Sequence, residues 1–147
     1  MDGILSLPYM AVSFKKSEPS EVIEKGELVV INPEDNRITV CSEEESKFVI
    51  GVAEKGSTKQ SNITYYLGGL DEEQTINQSL SVIIGGLATV KVSGHVNIGD
   101  LLISSEEPGK AKAVRYPEDR FNVGKVIGKV IQYTNNDDEV LAIINFS

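Results

Sequence analysis

The chain has 147 residues, 40% of them hydrophobic and 24% charged, which is the usage of an ordinary globular protein and not of a disordered one. One domain of this length, or two tightly coupled small halves, hides roughly 70% of its unfolded surface and needs no staples. A formal net charge of -8 and a pI near 4.7 argue against nucleic acid as a partner, because a phosphate backbone is held by clustered Lys and Arg.

Cys41 is the only cysteine, so no intrachain disulfide can form. No run reaches the roughly eighteen apolar residues of a membrane-spanning helix, and no membrane partner is expected. The opening MDGILSLPYM carries Asp2 where a signal peptide wants positive charge. Cytoplasmic synthesis is therefore the expectation, which leaves room for later incorporation into a particle.

In chain order, residues 1–20 read as an N-terminal arm or first strand. Ile4, Leu5, Leu7 and Tyr9 precede an alternation at Met10, Val12 and Phe14, and KKSEPSE ends the stretch. That period of two suits a strand laid on a neighbour or on its own domain. Residues 21–147 read as a single all-β domain. Its short segments rich in Val, Ile and Thr are ELVVI, RITV, FVIGVA, NITYYL, SVIIGG, LATVKVSG, LLISS, KAKAV, KVIGKVIQY and VLAIINF. Gly, Pro, Asn and Asp bound them, as in antiparallel structure with hairpin turns. Pro33 and Asn36 mark one reversal, Pro108-Gly109 another, and the run from Asn135 to Glu139 a third. Only Asp71 to Leu80 offers tolerable helix formers, and its apolar positions suit a turn or loop better than a helix. The fold class expected is a small barrel or sandwich of short antiparallel strands.

An internal echo divides this domain. KGELVVINPEDNRITV and FVIGVAEKG line up with IGDLLISSEEPGKAKAV and KVIGKVIQY, placing Gly26 over Gly99, Glu27 over Asp100, Leu28 over Leu101 and Gly51 over Gly128. Two similar halves follow, with a duplication of about 25–56 and 98–133. Two copies are too few for a solenoid. Gly51, Gly85, Gly86 and Gly128 interrupt strands and mark bulges, bends or close backbone approaches, and such bends could also bring subunits together at a narrow axis.

Chemical readings are weak throughout. Ser93 and His95 would share one strand face, and a Ser-His pair is the beginning of a hydroxyl nucleophile. Yet Gly94 between them invites a turn, no orienting acid is fixed by spacing, and the hydrolase elbow pattern is absent. Cys41 and His95 cannot make a zinc site without carboxylates, and Asn135 to Glu139 lacks the spacing of a calcium loop. The acidic runs Glu43-Glu44-Glu45 and Asp71-Glu72-Glu73 read as wet loops, although two carboxylates at the proper separation could serve glycoside hydrolysis. The Gly pairs do not follow a dinucleotide-binding order. Tyr65 and Tyr66 point to opposite faces if extended, and an exposed one could stack on a sugar or anchor an interface. No catalytic, cofactor-binding or metal residue is assigned, and no cofactor is expected.

The segments KGELVVINPEDNRITV, FVIGVAEKG, GGLATVKVSGHVNIGDLLISSEEPGKAKAV, KVIGKVIQY and VLAIINF, in that order, resemble the β-rich carboxy-terminal domain of tail-fibre-like, appendage-like and collagen-like surface proteins of phages, prophages and bacteria. The resemblance covers roughly Val22 to Phe146. Its most specific piece is V-K-V-x-G-x-V-x-I-G-D-L-L-x-S-S-x-x-P-G, from Val90 to Gly109. It implies a non-enzymatic structural or assembly module, commonly a homotrimer, which serves as fibre tip, collar or decoration component beside other particle subunits. Some relatives adjoin a self-cleaving chaperone, but no residue pair here matches that activity. The sequence departs from the family in lacking a heptad, collagen or β-helix stem, so the module is either a separate small virion component or the folded end of a longer chain. Two other readings stand beside it: a carbohydrate- or receptor-binding domain using Tyr65, Tyr66 and the turn at Asp71, with a cell-surface glycan as partner, and a self-cleaving domain using Ser93 and His95.

Overall fold

A computed structural model describes residues 9–44, 46–55, 79–115 and 125–146. Among these residues there are nine strands and no helix: β1 (Tyr9–Lys15), β2 (Leu28–Ile31), β3 (Ile38–Val40), β4 (Val49–Ala53), β5 (Ser79–Lys91), β6 (Leu101–Ser104), β7 (Ala111–Ala113), β8 (Gly128–Tyr133) and β9 (Glu139–Ile144). They form one antiparallel sheet in the order β3-β2-β4-β5-β9-β8-β6-β7, and β1 pairs with β5 beside that path. The all-β class read from the Val- and Ile-rich segments is the observed one.

One expectation is corrected. SVIIGG and LATVKVSG do not form two strands but a single 13-residue strand, β5. Gly86 has a φ of +93°, and Ile84 is skipped where Met10 pairs with Gly85 and Ala11 with Ile83. The glycines therefore bend the strand at a bulge without ending it, because its hydrogen bonding changes partner there. Upstream, Val82 and Ile83 pair with both β1 and β4; downstream, Gly86 to Lys91 pair with β9.

The sheet is built from two similar halves, and its order reads alike from both ends when β2, β3, β4 and early β5 are set against β6, β7, β8 and β9. Register agrees residue by residue. Val29 pairs with Val40 and Gly51, as Leu102 pairs with Ala113 and Gly128. Each half opens on a glycine of positive φ, Gly26 at +89° and Gly99 at +95°. The Gly26 N–H donates to Ala53 O at 3.0 Å and the Gly99 N–H to Val130 O at 2.8 Å. The following acid closes the turn in both: Glu27 Oε1 accepts the Glu24 N–H and Asp100 Oδ2 accepts the Asn97 N–H, each at 2.8 Å.

The correspondence includes β1. Val12 pairs with Val82, Ser13 with Ser81 and Lys15 with Ser79, in the register in which Ala88 pairs with Ala142, Thr89 with Leu141 and Lys91 with Glu139. Beyond each strand a parallel bridge follows, Lys16 to Ile38 and Val92 to Ala111. The N–H groups of Ser17 and Ser93 then donate to Ile38 O and Ala111 O, both at 2.7 Å. Strand β1 is thus to the first half what the later part of β5 is to the second.

Packing is less even than pairing. Ile23, Val29, Ile38, Leu80 and Val82, with Phe14 against them, fill the first half. Their counterparts Val96, Leu102, Ala111, Val140, Ala142 and Val90 fill the second. A row on the other face of the first half, Leu28, Val52 and Ile83, is buried as part of the second half's core. Each such side chain contributes about 1.5–3 kcal/mol when taken from water, so this row is what welds the halves together.

Candidate functional site

Among the described residues, those singled out for chemistry do not assemble. Strand β5 ends at Lys91, and Gly94, at φ +77°, turns the chain between Ser93 and His95. The Ser93 hydroxyl donates to Glu107 Oε1 at 2.6 Å, while the exposed His95 uses its carbonyl to accept from the Arg115 guanidinium. That serine bond, with Lys110 nearby at 3.4 Å, holds the Glu107 carboxyl below the usual range. A serine whose proton points at a surface carboxylate is not poised toward the histidine.

His95 lines an open cleft of about 240 Å³ between the turn after β5 and the β8–β9 hairpin, with Tyr133, Asn136, Asp137 and Glu139 opposite. The polar groups of that hairpin serve its own turn. Asn136 Nδ2 donates to Glu139 Oε1 at 3.0 Å, and the Thr134 hydroxyl contacts the Asn136 and Glu139 carbonyls at 3.2 Å. Among the described residues no group of three His, Cys, Asp or Glu is placed to hold a metal ion.

Cys41 is buried, and burial pushes its thiol up against the smaller opposing effect of hydrogen bonds from Glu43 and Ser104. Of the first acidic run, the Glu43 carbonyl accepts from Ser104 Oγ at 2.7 Å and Glu44 pairs with Lys112. Those residues clamp one half to the other. Glu45, Tyr65, Tyr66 and Asp71 to Glu73 lie outside the described residues.

What the structure does present is apolar surface. On β1, Tyr9, Met10 and Val12 are 47%, 62% and 38% exposed. A second set, Ile98, Leu101 and Ile143, is exposed on the second half. Leu101 and Ile143 flank Lys129 on neighbouring strands, because Lys129 pairs with both. Sequence patterning did not single out Ile98, Leu101 or Ile143, since nothing in a run such as LLISS says which of its faces is covered.

A solved structure with this arrangement is the head fibre gp8.5 N base of bacteriophage phi29, which aligns over 92% of this chain and 95% of its own with a TM-score of 0.56. The chain shares its fold with a phage head-fibre base. Identity between the two is 17%, so the likeness is one of fold. The pre-mature gene product 12 of the same phage aligns over 97% of this chain at 14% identity and a TM-score of 0.58, and the match spans 22% of that longer chain. No protein-family model matches, and no curated protein does.

Proposed function

We propose that the chain is a structural subunit of a phage or related tail-like particle, serving as fibre base, collar or decoration component, and that it assembles as a homotrimer against other particle subunits. The observation that carries this reading is the alignment over nearly the whole phi29 head-fibre base. It agrees with the resemblance carried by Val90 to Gly109. Exposed apolar side chains at Met10, Val12, Leu101 and Ile143 support assembly, because contiguous apolar surface on a particle component marks where a neighbour sits. The duplication is read as one ancestral unit used twice. A non-enzymatic role is supported by Ser93, whose hydroxyl is committed to Glu107.

Immunogold labelling of particles released by the strain that carries the gene tests the reading. Gold at one fixed location on intact particles is expected. Label confined to cell debris overturns it.

A further inference from the structure

The face of the first half that the second half covers has a counterpart that stays exposed among the described residues. Leu28 is 0% exposed and Leu101, its counterpart, 38%; Ile83 is 6% exposed and Ile143 42%. Gly26 is buried and Gly99 exposed. A Cβ on Gly26 would lie 3.3 Å from Lys91 Cγ and from Thr89 O, whereas one on Gly99 would meet nothing within 4 Å.

The covering group has a counterpart on the first half as well, although there the Asn36 N–H closes its own turn on Asn32 O at 2.8 Å. Gly26 O accepts the Lys91 N–H at 2.9 Å. Val92 donates to Asp138 on the β9 side, so the Lys91 N–H points to the opposite edge of β5. Lys91 Nζ also pairs with Glu24. At the tip of the β6–β7 turn, Gly109 accepts from the Leu28 N–H at 2.9 Å and donates to Cys41 O at 2.7 Å. In the first half these places belong to Lys15, in the register of Lys91, and to Asn36, whose φ of +60° matches the +77° of Gly109. Lys15 and Asn36 are both exposed.

We infer that the chain associates head to tail with further copies of itself by repeating the contact that joins its own halves: the β1 edge at Lys15 and the turn at Asn36 of one copy cover Gly99, Leu101 and Ile143 of the next. The two contact surfaces are different patches, so the interface is heterologous and closes into a ring when the rotation permits. First and second halves then alternate around one axis. Both the edge strand β1 and the Leu101–Ile143 patch are covered by the same event. This rests on the proposed self-assembly but specifies which surfaces meet.

Two variants and their mixture test it. Leu101→Arg disables the receiving face and Lys15→Pro removes the N–H that the covering edge supplies. Val12→Arg stands in should the proline unfold β1, as judged by circular dichroism. By light scattering the wild-type chain is expected at a multiple of 16.0 kDa and each variant at one chain mass. Mixed in equal amounts, the variants keep one intact pair of faces and form a one-to-one dimer that does not grow. A folded mixture that stays monomeric, with the wild type oligomeric, overturns the head-to-tail contact and leaves the proposed structural role standing. A monomeric wild type overturns the contact and the self-assembly together.

Discussion

Gly51 on β4 and Gly128 on β8 stand in one and the same contact: a Cβ on either would lie 2.2 Å from a neighbouring strand's carbonyl oxygen, Ile83 O for the first and Ile143 O for the second. Backbone cannot yield to that as a side-chain tip would, so the strands must part. Gly51→Ala and Gly128→Ala are each expected to lower stability by about 3 kcal/mol. Gly94→Ala, whose Cβ meets open space at φ +77°, is expected to cost only about 1–2 kcal/mol from the left-handed backbone. Urea denaturation of the three variants checks the ranking, and equal midpoints would refute the close approach.

Ser104 joins the halves through two hydrogen bonds, one buried and one part-buried. It is 0% exposed, accepts the Ser46 N–H at 2.8 Å and donates to Glu43 O at 2.7 Å. Ser104→Ala leaves the buried Ser46 N–H without its acceptor and removes the donor to Glu43 O, and the expected loss is about 1–2 kcal/mol in thermal or chemical denaturation. Native-state labelling of Cys41, which lies under the same loop with its Sγ 3.5 Å from Glu43 O, should become faster in that variant.

Glu54 ties β1 down from the end of β4. Its Oε1 accepts from Ser81 Oγ at 2.6 Å and its Oε2 from the Tyr9 hydroxyl. The Ser81 bond, then the Tyr9 bond, hold the carboxyl below its ordinary 4.5. A depressed folded value stabilises above 4.5 and is lost as pH falls through the lowered value. Melting curves should therefore show an acid-induced loss in the wild type that is smaller in Glu54→Gln. A variant melting like the wild type at every pH would remove Glu54 from the account.

Much of the sheet was legible because β-branched runs and Gly-acid turns are local signals, and the echo of Gly26 at Gly99 rests on such signals. The wider correspondence was hidden for a physical reason. Residues 54–78 connect β4 to β5, whereas 134–138 connect β8 to β9, so a fixed spacing loses the match between Ile83 and Ile143. Equivalent places also carry unlike residues. Lys16, buried with its ammonium donating to Glu21 O at 2.8 Å, stands where the other half has Val92, and no hydrophobic pattern pairs those two. The Ser93–His95 pair failed through Gly94, whose turn takes the two side chains out of a common strand face. The exposed patch at Leu101 escaped notice because apolar alternation reports a face that seeks cover and is silent on whether cover comes from the same chain.

Strand β5 belongs to both halves at once, its early residues completing the first and its later ones opening the second. No flexible joint separates them. A tug on one half reaches the other along a single covalent backbone, backed on either side by hydrogen-bonded neighbours, instead of across a seam that could peel. That continuity makes the pair of halves one stiff block.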